Sequence, residues 1–134
     1  MIPPDLYRAY LTTSYQVSGF HLIIQIGDHH PELDNLLKEH NSETWAFITA
    51  FNPNSQILSD EENLRRHQLL LEDLTGVLCF EGQGISTDPA WKPELSLLIL
   101  GISHDEAIRT GRKYVQNAIV MGKRGDVAEL VILV

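Results

Sequence analysis

Two Ser-x-x-Glu sequences, Ser59 with Glu62 and Ser103 with Glu106, each follow an apolar run and open a stretch of mixed polarity. This spacing is a capping box, in which serine and glutamate side chains satisfy the free amides at the start of a helix. Two helix starts are thereby fixed, and the apolar runs before them, residues 45–51 and 95–102, read as buried strands. A chain that alternates in this way must pack helices on a sheet.

The remaining elements fall into place around these anchors. Residues 1–17, after Pro3 and Pro4, read as a short helix docking through Leu6, Tyr10 and Val17. Residues 20–26 are β-rich. Asp28-His29-His30 is a turn, and Pro31 opens a helix with Leu33, Leu36 and Leu37 on one face, ending near Asn41. Asn52-Pro53-Asn54-Ser55 is a loop, because a residue before proline is pushed out of helical geometry. The Ser59 helix carries a stripe of Leu64, Leu71 and Leu74, with Leu70 beside them, and Gly76 stops it. Residues 77–80 form a strand running into Glu81-Gly82-Gln83-Gly84, and a loop with Pro89, Trp91 and Pro93 follows. The Ser103 helix places Ala107, Gly111 and Val115 on one side, Gly111 allowing close approach to the sheet. Strands at 118–121 and 127–134 are joined by the hairpin turn Gly122-Lys123-Arg124-Gly125-Asp126.

The expected class is α/β of the α+β type: a mixed sheet of about five to six strands with three to four helices. A two-layer sandwich with helices mostly on one face is the first choice, and a three-layer doubly wound fold the alternative. At 134 residues the chain reads as a single domain, 1–134.

Charge and cysteine content exclude whole function classes. A net charge of −8 repels phosphate backbones, so no nucleic-acid partner is expected. The one cysteine, Cys79, has no partner for an internal disulfide, and in an apolar run it reads as a small buried hydrophobe. No secretory signal or membrane segment is visible, which points to a cytoplasmic protein. The six histidines are scattered without metal-ligand spacing, so neither a metal nor another cofactor is expected. Gly82-Gln83-Gly84 follows a strand but opens no helix, so it is not a dinucleotide fingerprint.

Strand direction locates the functional edge. Strand–helix–strand units are normally parallel, so the strands at 20–26, 45–51 and 77–80 should end at one edge of the sheet. The strand at 95–102 should start there, and the chain should return to it at Gln116-Asn117. Five polar segments then converge: Asp28-His29-His30, 52–56, 81–83, 91–96 and 116–117. The candidate ligand-binding residues are Asn52, Ser55, Asn63, Arg66, Glu81, Trp91, Glu94, Ser96 and Gln116. Glu81 and Glu94 flank buried strands and could share a proton or a cation as an acid/base pair. The amides read a polar ligand well, and equally tie down loops. Asn117 doubles as a candidate left-handed helix cap.

Several segments together resemble the bacterial domain of unknown function 3293 (DUF3293) family over about residues 7–120. They are Thr49-Ala50-Phe51-Asn52-Pro53-Asn54-Ser55, Leu58-Ser59, Glu62-Asn63, Gly82-Gln83-Gly84, Trp91-Lys92-Pro93-Glu94-Leu95-Ser96 and Gln116-Asn117-Ala118-Ile119-Val120. Leu95 stands where that family often has a proline. The resemblance implies a small stand-alone bacterial cytosolic domain and no reaction. Three readings stay open. The first is a binding module for a polar small molecule or protein partner at the convergent edge. The second is a small hydrolase or transferase using Glu81 or Glu94 as acid/base. The third is a homodimer paired through the apolar strand 130–134.

Overall fold

The computed structural model describes residues 2–134. The order is α1 (Pro4–Thr12), β1 (Ser14–Val17), β2 (Leu22–Ile24), α2 (Pro31–Glu39), β3 (Thr44–Thr49), a 3-10 turn (Pro53–Ser55), α3 (Asp60–Asp73), β4 (Cys79–Ile85), β5 (Glu94–Leu100), α4 (His104–Lys113), β6 (Ala118–Lys123) and β7 (Glu129–Ile132). Both serines cap their helices as expected. The amides of Glu62 and Glu106 donate to the hydroxyls of Ser59 and Ser103, each at 3.1 Å.

All seven strands join one sheet in the order β2-β1-β4-β5-β3-β6-β7, and every pairing is antiparallel. This corrects the expectation of a mixed sheet with five to six strands. The extra strand is β1, which the sequence reading placed inside an N-terminal helix reaching Val17. Instead α1 ends at Thr12, and Val17 is buried on β1. The directions survive the correction: β2, β3 and β4 do run the same way, but each is separated from the next by an antiparallel strand.

The sheet is strongly curled. Tyr15 on β1 and Phe47 on β3 are three strands apart, which in a flat sheet is roughly 14 Å. Their rings nevertheless meet edge-on at 5.4 Å. The two sheet edges also approach each other: the amide of Gly27, after β2, donates to Ala128 O at 2.8 Å, and the amide of Ala128 donates to Asp28 O at 3.0 Å.

Alternation along the strands divides the core in two. Trp45, Phe47, Leu98, Leu100 and Val120 face inward, where α2 packs Leu33, Leu36 and Leu37 against them. Ala46, Ile48, Leu97, Ile99 and Met121 face outward, under Leu70 of α3 and Ala107 of α4. Helices therefore cover both faces, unlike the expected arrangement with helices mostly on one. Gly111 is where α4 comes closest: a Cβ there would sit 2.5 Å from Leu133 Cδ1 and 2.8 Å from Ile119 Cγ2. The inward stripe of α3 also differs from expectation. Asn63, His67 and Leu70 are buried, whereas Leu64 is exposed. Among the described residues, no helix is long and apolar enough to cross a membrane.

Candidate functional site

The inner face of the curled sheet is filled unevenly. Helix α2 occupies one end, held by Asp34 Oδ1, which accepts from the Gly125 amide at 2.8 Å in the β6–β7 turn. The other end lies where β3 and β4 finish and β5 and β6 begin, and α1 runs across it. A cavity of about 180 Å³ remains there. That is roughly ten times what one water requires. Phe47, Val120, Leu130 and Tyr15 form its apolar floor, with Leu6 and Ala9 contributed by α1. Asn52, Ser55, Trp91, Glu94, Ser96 and Gln116 line its polar side.

Six of the sequence candidates thus share one cavity, although they come from three separate chain segments. Asn63 and Arg66 stand behind it as braces. Asn52 adopts a left-handed conformation (φ 47°) and carries a dense set of bonds. Its amide donates to Asn63 Oδ1 at 2.9 Å. Its Oδ1 accepts from Asn63 Nδ2 at 2.9 Å and from the Leu58 amide at 3.0 Å. Its Nδ2 donates to Glu94 Oε2 at 2.7 Å. The Arg66 guanidinium donates to Ala50 O at 2.6 Å and to Tyr114 O, joining the β3 and α4 ends. Gln116 Nε2 donates to Phe51 O at 2.9 Å and to Tyr114 O at 3.3 Å.

Backbone strain concentrates at this edge. Of the five non-glycine residues with positive φ among those described, Asn52, Asn54, Ser55 and Val115 are here. Asparagine tolerates the left-handed region, but a β-branched residue there is a real outlier. Val115 (φ 57°) is pinned by its carbonyl, which accepts from the Asn54 amide at 2.8 Å. It is the left-handed residue after α4, the role the sequence reading gave to Asn117. Asn117 instead donates from Nδ2 to Ser55 Oγ at 3.0 Å. Residues held in such conformations gather at functional sites.

Glu94 is a carboxyl on the cavity wall that burial holds off its usual titration. Desolvation raises it above the ordinary glutamate range, while hydrogen bonds from Asn52 and Trp91 pull the other way. Burial also raises the hydroxyls of Tyr10 and Tyr15 beside it.

Two expected contributors lie elsewhere. Glu81 pairs with Leu97 in the middle of β4, because that strand continues to Ile85 instead of ending at Phe80. Leu97 belongs to the outer core, so Glu81 points away from Glu94, which is on the inner face. Its partner is His67, whose Nε2 is 3.2 Å from Glu81 Oε2. The two glutamates therefore cannot act as an acid/base pair. Gly82, read as part of a loop, is within the strand, and a Cβ there would meet Gln16 O at 2.3 Å. Asp28-His29-His30 also leaves the edge. The chain turns after β2 and bridges His29 to Val127, near the opposite end of the sheet.

The sequence reading missed the part played by α1. Tyr10 approaches Ser55 Oγ at 3.3 Å and Tyr15 OH donates to Tyr10 O at 2.9 Å, which fixes the helix over the cavity. The alternation of Tyr15 and Val17 was the available sign that a strand begins there. Burial pushes the Cys79 thiol up to about 11, so it is no ready nucleophile. Among the described residues, no three His, Cys, Asp or Glu side chains gather as a metal site needs. The family model of a protein of unknown function, DUF3293, matches residues 48–119, from β3 to the start of β6. No curated protein and no solved structure matches the chain.

Proposed function

The chain belongs to the DUF3293 family of unknown function, so its own geometry is the guide, and we propose that it is a binding module whose ligand is a small molecule held beneath α1. One observation carries this reading: an apolar cavity of about 180 Å³ has a half-buried carboxyl, Glu94, fixed at its polar wall by Asn52. A concave apolar pocket with a few convergent polar groups and a perturbed titratable residue is the usual form of a ligand site. The strained loop supports it, since left-handed Ser55 and Val115 serve no packing need of the core.

Ligand-observed NMR with a library of small fragments tests the proposal. Binders should lose their signal changes on Ala9→Trp, which fills the cavity from α1. Fragments that bind equally well to that variant, or none that bind the parent, would refute it. A small hydrolase or transferase is the second reading. It is favoured by Glu94 alone, whose titration desolvation raises, the direction a general acid needs.

A further inference from the structure

The hydrogen-bonding groups around the cavity are unequally engaged. The donors are almost all directed into the protein. Asn52 Nδ2 goes to Glu94, Gln116 Nε2 to Phe51 O and Tyr114 O, and Asn117 Nδ2 to Ser55 Oγ. The hydroxyl protons of Thr49, Ser96 and Tyr15 go to Leu95 O, Glu94 O and Tyr10 O. Acceptors are what remain. Gln116 has its nitrogen turned to two carbonyls, so the end left for a ligand is Oε1. Ser96 Oγ, having donated, can still accept. Glu94 accepts from Asn52, and no Lys, Arg or His pairs with its carboxyl among the described residues.

Charge follows the same pattern. Among the described residues, none that lines the cavity is Arg, Lys or His, whereas Glu94 and Asp88 both line it. Arg66, which braces the wall from behind, is engaged by two main-chain carbonyls. The chain as a whole carries −8. An anionic ligand would meet two carboxyl groups and no cationic side chain on the cavity wall. A cation would supply the missing counter-charge, and the aromatic side chains Trp91, Tyr10, Tyr15 and Phe47 line the cavity, a residue type whose ring faces attract cations.

We infer that the cavity takes a small organic ammonium: an apolar body seated against Phe47, Val120 and Leu130, with a protonated amine on Glu94 and Gln116 Oε1. This rests on the reading of the cavity as a ligand site and adds the chemical class. No bond is made or broken; the ammonium and carboxylate pair, and the three ammonium hydrogens meet acceptors already in place.

Three probes with one apolar body separate the possibilities: benzylamine, benzyl alcohol and benzoate, titrated into the full-length protein and followed by backbone amide NMR. Benzylamine should shift the amides around Asn52, Glu94 and Gln116 saturably and bind about tenfold more tightly than benzyl alcohol, with benzoate inert. Glu94→Gln should remove that preference while leaving benzyl alcohol within about twofold, which also shows that the variant is folded. On the unaltered protein, the titration of the Glu94 carboxyl carbon should move to lower pH when benzylamine is bound. If benzyl alcohol or benzoate binds best in the cavity, the ammonium class is wrong and the cavity reading stands. If no probe shifts the cavity amides, both fall.

Discussion

Asn63→Ala removes the keystone of the site without touching the cavity wall. Asn63 is 4% exposed, and its side chain makes two bonds, both to Asn52. Losing Oδ1 leaves the Asn52 amide without an acceptor in a buried place, which costs about 1–3 kcal/mol. Losing Nδ2 is milder, because Asn52 Oδ1 keeps the Leu58 amide; a net bond of this kind contributes about 0.5–1.5 kcal/mol. Alanine returns roughly 0.5 kcal/mol as the better helix former within α3. The variant should therefore lose about 2–3 kcal/mol in equilibrium urea unfolding with an unchanged m-value. The second consequence concerns Asn52, which would be freed to leave its left-handed conformation and release Glu94. Combining Asn63→Ala with Glu94→Gln should then be non-additive by about 0.5 kcal/mol or more in a double-mutant cycle. A loss below about 0.5 kcal/mol for Asn63→Ala would refute the claim that the amide pair holds the loop.

Three further outcomes follow from the same geometry. Burial raises Glu94, so the folded state holds its proton more tightly than the unfolded chain does. The parent should lose stability as pH rises from about 4.5 through the raised value, while Glu94→Gln should not; urea midpoints from pH 4 to 8 that stay parallel would contradict this. The groups facing Glu94, the hydroxyls of Tyr10 and Tyr15, stay neutral across that range because burial raises them too. Val115→Gly should stabilise the protein by about 0.5–1 kcal/mol, since a left-handed β-branched residue is strained and Val115, 42% exposed, has little burial to lose; a drop in thermal midpoint would count against it. Gly111→Ala should cost about 1–3 kcal/mol despite alanine's helix preference, because its Cβ would collide with Leu133 and Ile119, and Leu133→Ala in the same chain should restore part of the loss.

Local chemistry was legible wherever one residue type decides a conformation. Ser59, Ser103 and Pro31 open helices where expected, and Asn41 ends α2 in the left-handed region. The meeting of Asn52, Glu94 and Gln116 was also legible, because it depends on strand direction alone, and direction is unaffected by which strands are neighbours. Neighbours were not legible. Register and pairing are set by contacts distant in sequence, so nothing near Ser14 announces that it will pair with Ile85. That one omission moved Glu81 into a loop, since β4 appears to end at Phe80 unless β1 is there to extend it. Polar residues on an inward helical stripe misled in the same way. Asn63 and His67 look like surface positions until their partners, Asn52 and Glu81, are brought up from other elements.

The closing of the sheet bears on how the chain must fold. Ala128 accepts from the Gly27 amide and donates to Asp28 O across most of the sequence, and β1 waits for β4 before it has a partner on its inner side. Bringing such distant segments together carries the largest loop-closure entropy and little early reward. Folding should therefore start in the middle, where β3, β5 and β6 pair around the central core, with the β1–β2 hairpin joining once β4 is laid down. Helix α1 has no buried residue to recruit it sooner, so the cavity wall it supplies is completed last. On this order the cavity is absent from any folding intermediate, and a small molecule that binds it should slow unfolding while leaving the folding rate unchanged.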